Sequence, residues 1–127
     1  MHDRVVKAAS AALTVPLSPA PGKSLSPSAV YRYYPGRGDG ALRTARFEVR
    51  VFHRSPDAAA AEIAALQRAL LADGDTGVVG TGADALVICG TKEGGRGGSV
   101  RGCGLYYLQA GFEIQARCGE VSVLRHE

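Results

Sequence analysis

RTARFEVRVFHRSPDAAAAEIAALQRALLA, residues 43–72, changes its hydrophobic period partway along, and that change decides the fold. From Ala45 to His53 the odd positions Ala45, Phe47, Val49 and Val51 are apolar, while Arg46, Glu48 and Arg50 between them are charged. Period-2 alternation of this kind describes a strand with one buried face. Phe52 is the exception, a large apolar group in phase with the charges. Ser55-Pro56-Asp57 then supplies an N-cap hydroxyl, a proline suited to the first helical position and an acid in the first turn, so a helix starts there. Its core stripe is Ala59, Ile63, Leu66 and Leu70, with Leu71 at one edge, and Asp73-Gly74 closes it.

Working outward towards the N-terminus, Val5, Val6, Ala9, Ala12 and Leu13 recur at helical spacing, which predicts a helix over 3–13 capped by Asp3. Thr14 to Ser28 carries Pro16, Pro19, Pro21 and Pro27 and is expected to be an extended loop. Val30 to Tyr34 is β-prone. Pro35 to Gly40 has turn chemistry, so the two segments predict a hairpin onto the Arg43 strand with a long loop. Arg37-Gly38-Asp39 in that loop spells a cell-adhesion tripeptide, a match too short to carry weight.

Towards the C-terminus, Gly74 to Asp84 is a glycine-rich connection. Its glycines follow a helix and lead into the apolar run Ala85 to Cys89, the reverse of the order a dinucleotide fingerprint requires. Thr91 to Gly104 holds six glycines, with Lys92, Arg96 and Arg101 against the single acid Glu93. It is expected to be a mobile loop that touches a polyanion or an assembly partner, or else a solvated connection. No Gly-Lys-Ser/Thr occurs in it and no helix follows, which argues against a phosphate loop. Tyr106 to Cys118 alternates cleanly and predicts a long strand of a half-covered antiparallel sheet, with Gly111 marking a bend or bulge. Gly119 to Glu127 either continues weakly as strand or frays.

The 127 residues fit one domain, and 46% hydrophobic with 21% charged residues is ordinary for a folded protein, although 6% aromatic makes for a core rich in small residues. A net charge of +3 suits work near a polyanion without the basic excess of a dedicated nucleic-acid binder. Cys89, Cys103 and Cys118 lack metal or redox spacing and read as reduced thiols, with Cys103 the one candidate for a loop thiol. The start of the chain only faintly mimics a signal peptide, and no stretch approaches the roughly 20 apolar residues of a membrane span.

Groups for catalysis are scarce. His2 and His126 lie near the ends, and His53 closes a strand in phase with its buried face. The spacing of His, Cys and acids suggests neither a metal site nor a cofactor, so the sequence reads as non-enzymatic.

The predicted order is helix, proline-rich loop, strand pair, helix, strand, glycine-rich loop and long strand. It defines an α+β fold, an antiparallel sheet of about four strands with two helices packed on one face. That order resembles the tail terminator (tail completion) proteins of long-tailed, siphovirus-like bacteriophages. The resemblance is carried by Val30 to Pro35, by Arg46 to His53 running into the Asp57 to Leu71 helix, and by the Leu105 to Arg117 strand. It covers nearly the whole chain as a pattern rather than as a motif. The Thr14 to Ser28 and Thr91 to Gly104 segments stand as elaborations.

The resemblance implies a non-enzymatic ring subunit, usually hexameric, that caps the tail tube and joins it to the head-tail connector while double-stranded DNA passes through the centre. It also implies residence in the tail or neck of a virion assembled in the host cytoplasm. Lys92, Arg96 and Arg101 are the candidate contacts to DNA or a partner. Phe52 and Tyr107, large groups on otherwise polar strand faces, are the candidate subunit interface. Rival readings are another connector subunit, a stopper or adaptor, and a soluble α+β binding module.

Overall fold

The computed structural model describes residues 2–20, 26–39, 42–80, 85–91, 96–100 and 104–117. Its elements in chain order are α1 (His2–Ala12), β1 (Leu17–Pro19), β2 (Ser28–Asp39), β3 (Leu42–His53), α2 (Pro56–Leu70), β4 (Thr76–Val79), β5 (Leu86–Gly90), β6 (Arg96–Val100) and β7 (Leu105–Arg117). The strand-to-helix unit forms as its period predicts. Ser55 Oγ accepts a hydrogen bond from the Ala58 N–H at 3.1 Å, and Pro56 opens the helix where its missing N–H costs nothing.

The strands make one seven-stranded sheet in the order β1-β2-β3-β7-β5-β4, with β6 also paired to β7. This corrects the expected antiparallel sheet of about four strands: the sheet is mixed, because β1 runs parallel to β2, and only the broad α+β class fits. The three additional strands are short and lie in segments rich in Pro, Gly or polar residues, where composition argues for loop. Pairing to an established neighbour is what makes them strands, since it satisfies backbone groups that would otherwise need water. In β1, for example, the flanking Ala20 N–H donates to the Tyr31 carbonyl at 2.9 Å and Ala29 N–H donates to the Pro16 carbonyl at 2.8 Å. Thr14 to Ser28 is therefore not wholly loop.

The expected long hairpin loop is likewise absent. β2 continues to Asp39 and β3 starts at Leu42, and the turn-prone Pro35-Gly36 lies at a register shift between Pro35 and Gly38. Arg37-Gly38-Asp39 thus belongs to a paired strand. Gly119 to Glu127 lies outside the described residues.

The core lies between one sheet face and the two helices. Phe47, Val49 and Val51 of β3, Ala110, Phe112 and Ile114 of β7, and Leu86 and Ile88 of β5 are buried against Ala59, Ile63, Leu66 and Leu70 of α2 and Val5 and Ala9 of α1. Phe47 and Phe112 face each other across the strand pair with ring centroids 6.3 Å apart, and Tyr31 extends the row at 5.8 Å from Phe47. Each fully buried Leu, Ile, Val or Phe side chain contributes about 1.5–3 kcal/mol, so this one interface dominates the stabilisation.

A charge sits in the helix stripe that the apolar period does not announce. Glu62 is buried beside Ile63. Its carboxylate accepts the Thr14 N–H at 2.8 Å and the Thr14 hydroxyl, which ties the chain leaving α1 to α2.

Two measurements check this packing. Leu66→Asp is expected to abolish soluble folding, because it places an unpaired charge at a fully buried position, whereas Arg68→Ala on the exposed side of α2 should melt within a few degrees of the parent. Equal losses would mean the helix is rotated. Glu62→Ala should lower stability by about 1–3 kcal/mol in chemical denaturation, because it strands the Thr14 N–H, and a change near zero would show that water replaces the carboxylate.

Candidate interaction surface on the uncovered sheet face

Helices cover one face of the sheet, and the alternation of β2, β3 and β7 sends the remaining side chains to the other. In register across the three strands stand Val30, Arg50 and Gln109, then Arg32, Glu48 and Gly111, then Tyr34, Arg46 and Glu113. Ser28, Phe52 and Tyr107 form the row at one end.

Phe52 and Tyr107, singled out from the sequence as large groups among polar neighbours, are a cross-strand pair with ring centroids 6.2 Å apart. The Arg50 guanidinium carbon lies 4.7 Å from the Tyr107 ring centroid, a cation–π contact, and Arg50 Nε and Nη2 donate to Gln109 Oε1 at 3.0 and 2.8 Å. The guanidinium is therefore held in place rather than waving in solvent. Arg46 and Glu48 form an ion pair at 3.2 Å. Ala20, Val30, Arg32, Glu48, Arg50, Phe52 and Gln109 line a depression here that mixes apolar and charged side chains. At the opposite sheet edge Val78 and Val87, 57% and 41% exposed, form a second apolar pair on this face.

Of the candidate contacts Lys92, Arg96 and Arg101, Lys92 and Arg101 lie outside the described residues. Arg96 starts β6, its backbone opposite Gln109. Thr91 to Gly104 is thus not simply a loop. β5 pairs with residues 112–116 of β7 and β6 with residues 105–109, so the two lie end to end along one edge of β7. The glycines of β6 are explained by what lies beside them: a Cβ on Gly97 would stand 2.7 Å from the Tyr107 carbonyl oxygen, too close for any other residue without a backbone shift, and one on Gly98 would press on Tyr107 Cε1 at 3.2 Å. Gly111 is explained in the same way and does not mark a bulge. Register with β3 runs unbroken through Glu48 and Gly111, and a Cβ there would meet Thr91 Oγ1 at 2.6 Å.

On the helix side, His2 packs edge-on to Tyr33 at 4.9 Å between ring centroids, and its Nε2 lies 3.3 Å from the Tyr31 hydroxyl. This contact fastens the start of α1 to β2. Burial pushes the Tyr33 phenol up, and the hydrogen bond from His2, aided by the His2 charge, holds Asp3 below the usual carboxylate range. His53 Nδ1 accepts the Arg54 N–H at 2.9 Å. Among the described residues no group of three or more His, Cys, Asp or Glu side chains is placed to hold a metal ion, and no helix is long and apolar enough to cross a membrane.

Sequence reasoning found Phe52 and Tyr107 by their size against a polar background. It missed Arg50, Gln109 and Arg32, because charged and amide side chains on a polar strand face look like ordinary solvation until cross-strand register brings them together.

The fold recurs in a solved structure. A chain in the solved structure of the virion of a native gene transfer agent particle superposes with a TM-score of 0.65 at 15% sequence identity, over 93% of this chain and 95% of that one. At this identity the likeness is one of fold. No family model and no curated protein matches the sequence.

The position of β6 changes what its removal should do. Replacing Glu93 to Arg101 by a short Gly-Ser turn is expected to lower the melting temperature by several degrees, since it removes a strand paired to β7 and uncovers Tyr107. An unchanged melting temperature in calorimetry would return the segment to the status of a dispensable loop.

Proposed function

We propose that the protein is a structural component of a phage-like virion, and within it the tail terminator: a ring subunit that caps the tail tube and joins it to the head-tail connector, with DNA passing through the centre. The observation that carries the reading is the sharing of one fold, end to end, with a chain of a gene transfer agent virion. Coverage of both chains is nearly complete, so the likeness is to a whole subunit and not to a common substructure. The order of elements that resembles tail terminators in the sequence points the same way.

The surface chemistry suits assembly. A small sheet whose second face carries Phe52, Tyr107, Val78 and Val87 has apolar groups that a neighbouring subunit could bury. A net charge of +3 is mild, and passing DNA demands mildness, since many tight phosphate contacts would hold the duplex in place. A subunit that meets its copies through two different surfaces builds a closed ring when the rotation between copies closes.

Negative-stain images of the purified protein, alone and mixed with tail tubes, are expected to show rings with a central hole, free or seated on tube ends. A species that stays monomeric at high concentration and leaves tube ends bare would reject the reading.

A further inference from the structure

We infer that the depression on the uncovered sheet face receives the acidic α2–β4 turn of a second copy of this chain, Asp73 and Asp75 meeting Arg32 and Arg50. This rests on the ring reading above and names the two surfaces that build the ring.

The receiving side is formed. Arg32 and Arg50 are exposed, and Val30 and Phe52 line the depression beside them. Arg50 is held by Gln109 and by the Tyr107 ring, and a guanidinium has more N–H donors than the two bonds to Gln109 use. A positioned arginine loses little side-chain entropy on meeting a carboxylate, and the pairing is charge-assisted.

The donating side is chosen by elimination among the acids whose side chains the structure describes. Asp3 is engaged by His2, Glu48 by Arg46 and Glu62 by Thr14. Asp57 sits in the first turn of α2, where the helix dipole favours it, and Glu113 belongs to the uncovered face itself. Asp73 and Asp75 remain, both exposed and in one turn. Backbone bonds brace that turn: Asp73 N–H to the Thr76 carbonyl at 2.9 Å, Gly74 N–H to the Leu71 carbonyl at 3.1 Å, and Gly90 N–H to the Asp75 carbonyl at 3.0 Å.

The placement makes the contact directional. The depression spans β2, β3 and β7 beside the β1 edge, whereas the acidic turn leads into β4 at the other edge of the sheet. Complementary patches at opposite edges of one subunit give a head-to-tail contact, the kind that repeats around a ring.

Charge reversal tests this. The paired variant Arg32→Glu/Arg50→Glu and the paired variant Asp73→Arg/Asp75→Arg should each melt close to the parent, because all four side chains are exposed, yet each should weaken self-association by at least about tenfold in sedimentation velocity at low salt. Mixing the two variants should restore it, since each junction then joins either the native pair or its charge-swapped equivalent, and rising salt should weaken the mixture as it weakens the parent. Rings that persist in both variants, or variants that stay apart when mixed, would overturn this contact and leave the ring reading standing. A parent chain that stays monomeric in the same runs would overturn both.

Discussion

The pairing of β3 with β7 is the constraint on which the rest of the structure depends. Twelve residues of β3, from Leu42 to His53, run in unbroken antiparallel register with Arg117 to Tyr106 of β7. Because side chains alternate with a period of two, that register decides at one stroke which residues meet the helices and which face away. A slip of one residue would bring Arg46 and Glu48 against α2 in place of Phe47 and Val49. The cost of burying those charges makes the register close to unique. Phe47 lying against Phe112 on the covered side and Phe52 against Tyr107 on the other are two consequences of the same alignment.

The two faces of this pair divide the labour of the molecule. On the covered face the demand is dense packing, met by small and branched side chains between the sheet and two helices; among the described residues the Glu62 carboxylate is the one charged group admitted, satisfied by Thr14. The uncovered face has no such demand, and its side chains instead hold one another in cross-strand pairs. The row in which Arg50 is held by Gln109 and Tyr107, with Tyr107 lying across Gly98 of β6, positions charge and aromatic surface without closing them off from a neighbour. Such surfaces suit recognition between subunits, where side chains fixed beforehand lose little freedom on contact.

Along the outer edge of β7, β5 and β6 act as one interrupted strand, and Thr91 N–H donates to the Gly111 carbonyl at 3.1 Å where they meet. The glycines that make this stretch look structureless are the residues that allow the close approach. The same composition signals flexibility in isolation and tight docking when a neighbouring strand and an aromatic ring are present. The chain thus carries a mild positive charge, a braced acidic turn at one sheet edge and arginines near the other.

The sequence by itself determined what local period and capping chemistry determine. The strand from Leu42 to His53, the helix from Pro56 to Leu70 with its Ser55 cap, the first helix and the long β7 strand are all legible, because each carries its own alternation or stripe over many residues. The tertiary structure decided the rest. β1, β4 and β6 are strands only because a partner strand offers hydrogen bonds, and residues too few or too glycine-rich to show a period cannot announce such a partner. The burial of Glu62 depended on Thr14, 48 positions away in the chain. The grouping of Arg32, Arg50 and Gln109 depended on register across three strands separated by long stretches of sequence. Contacts between distant segments are set by which faces must leave water together, a property of the whole chain that no local window contains.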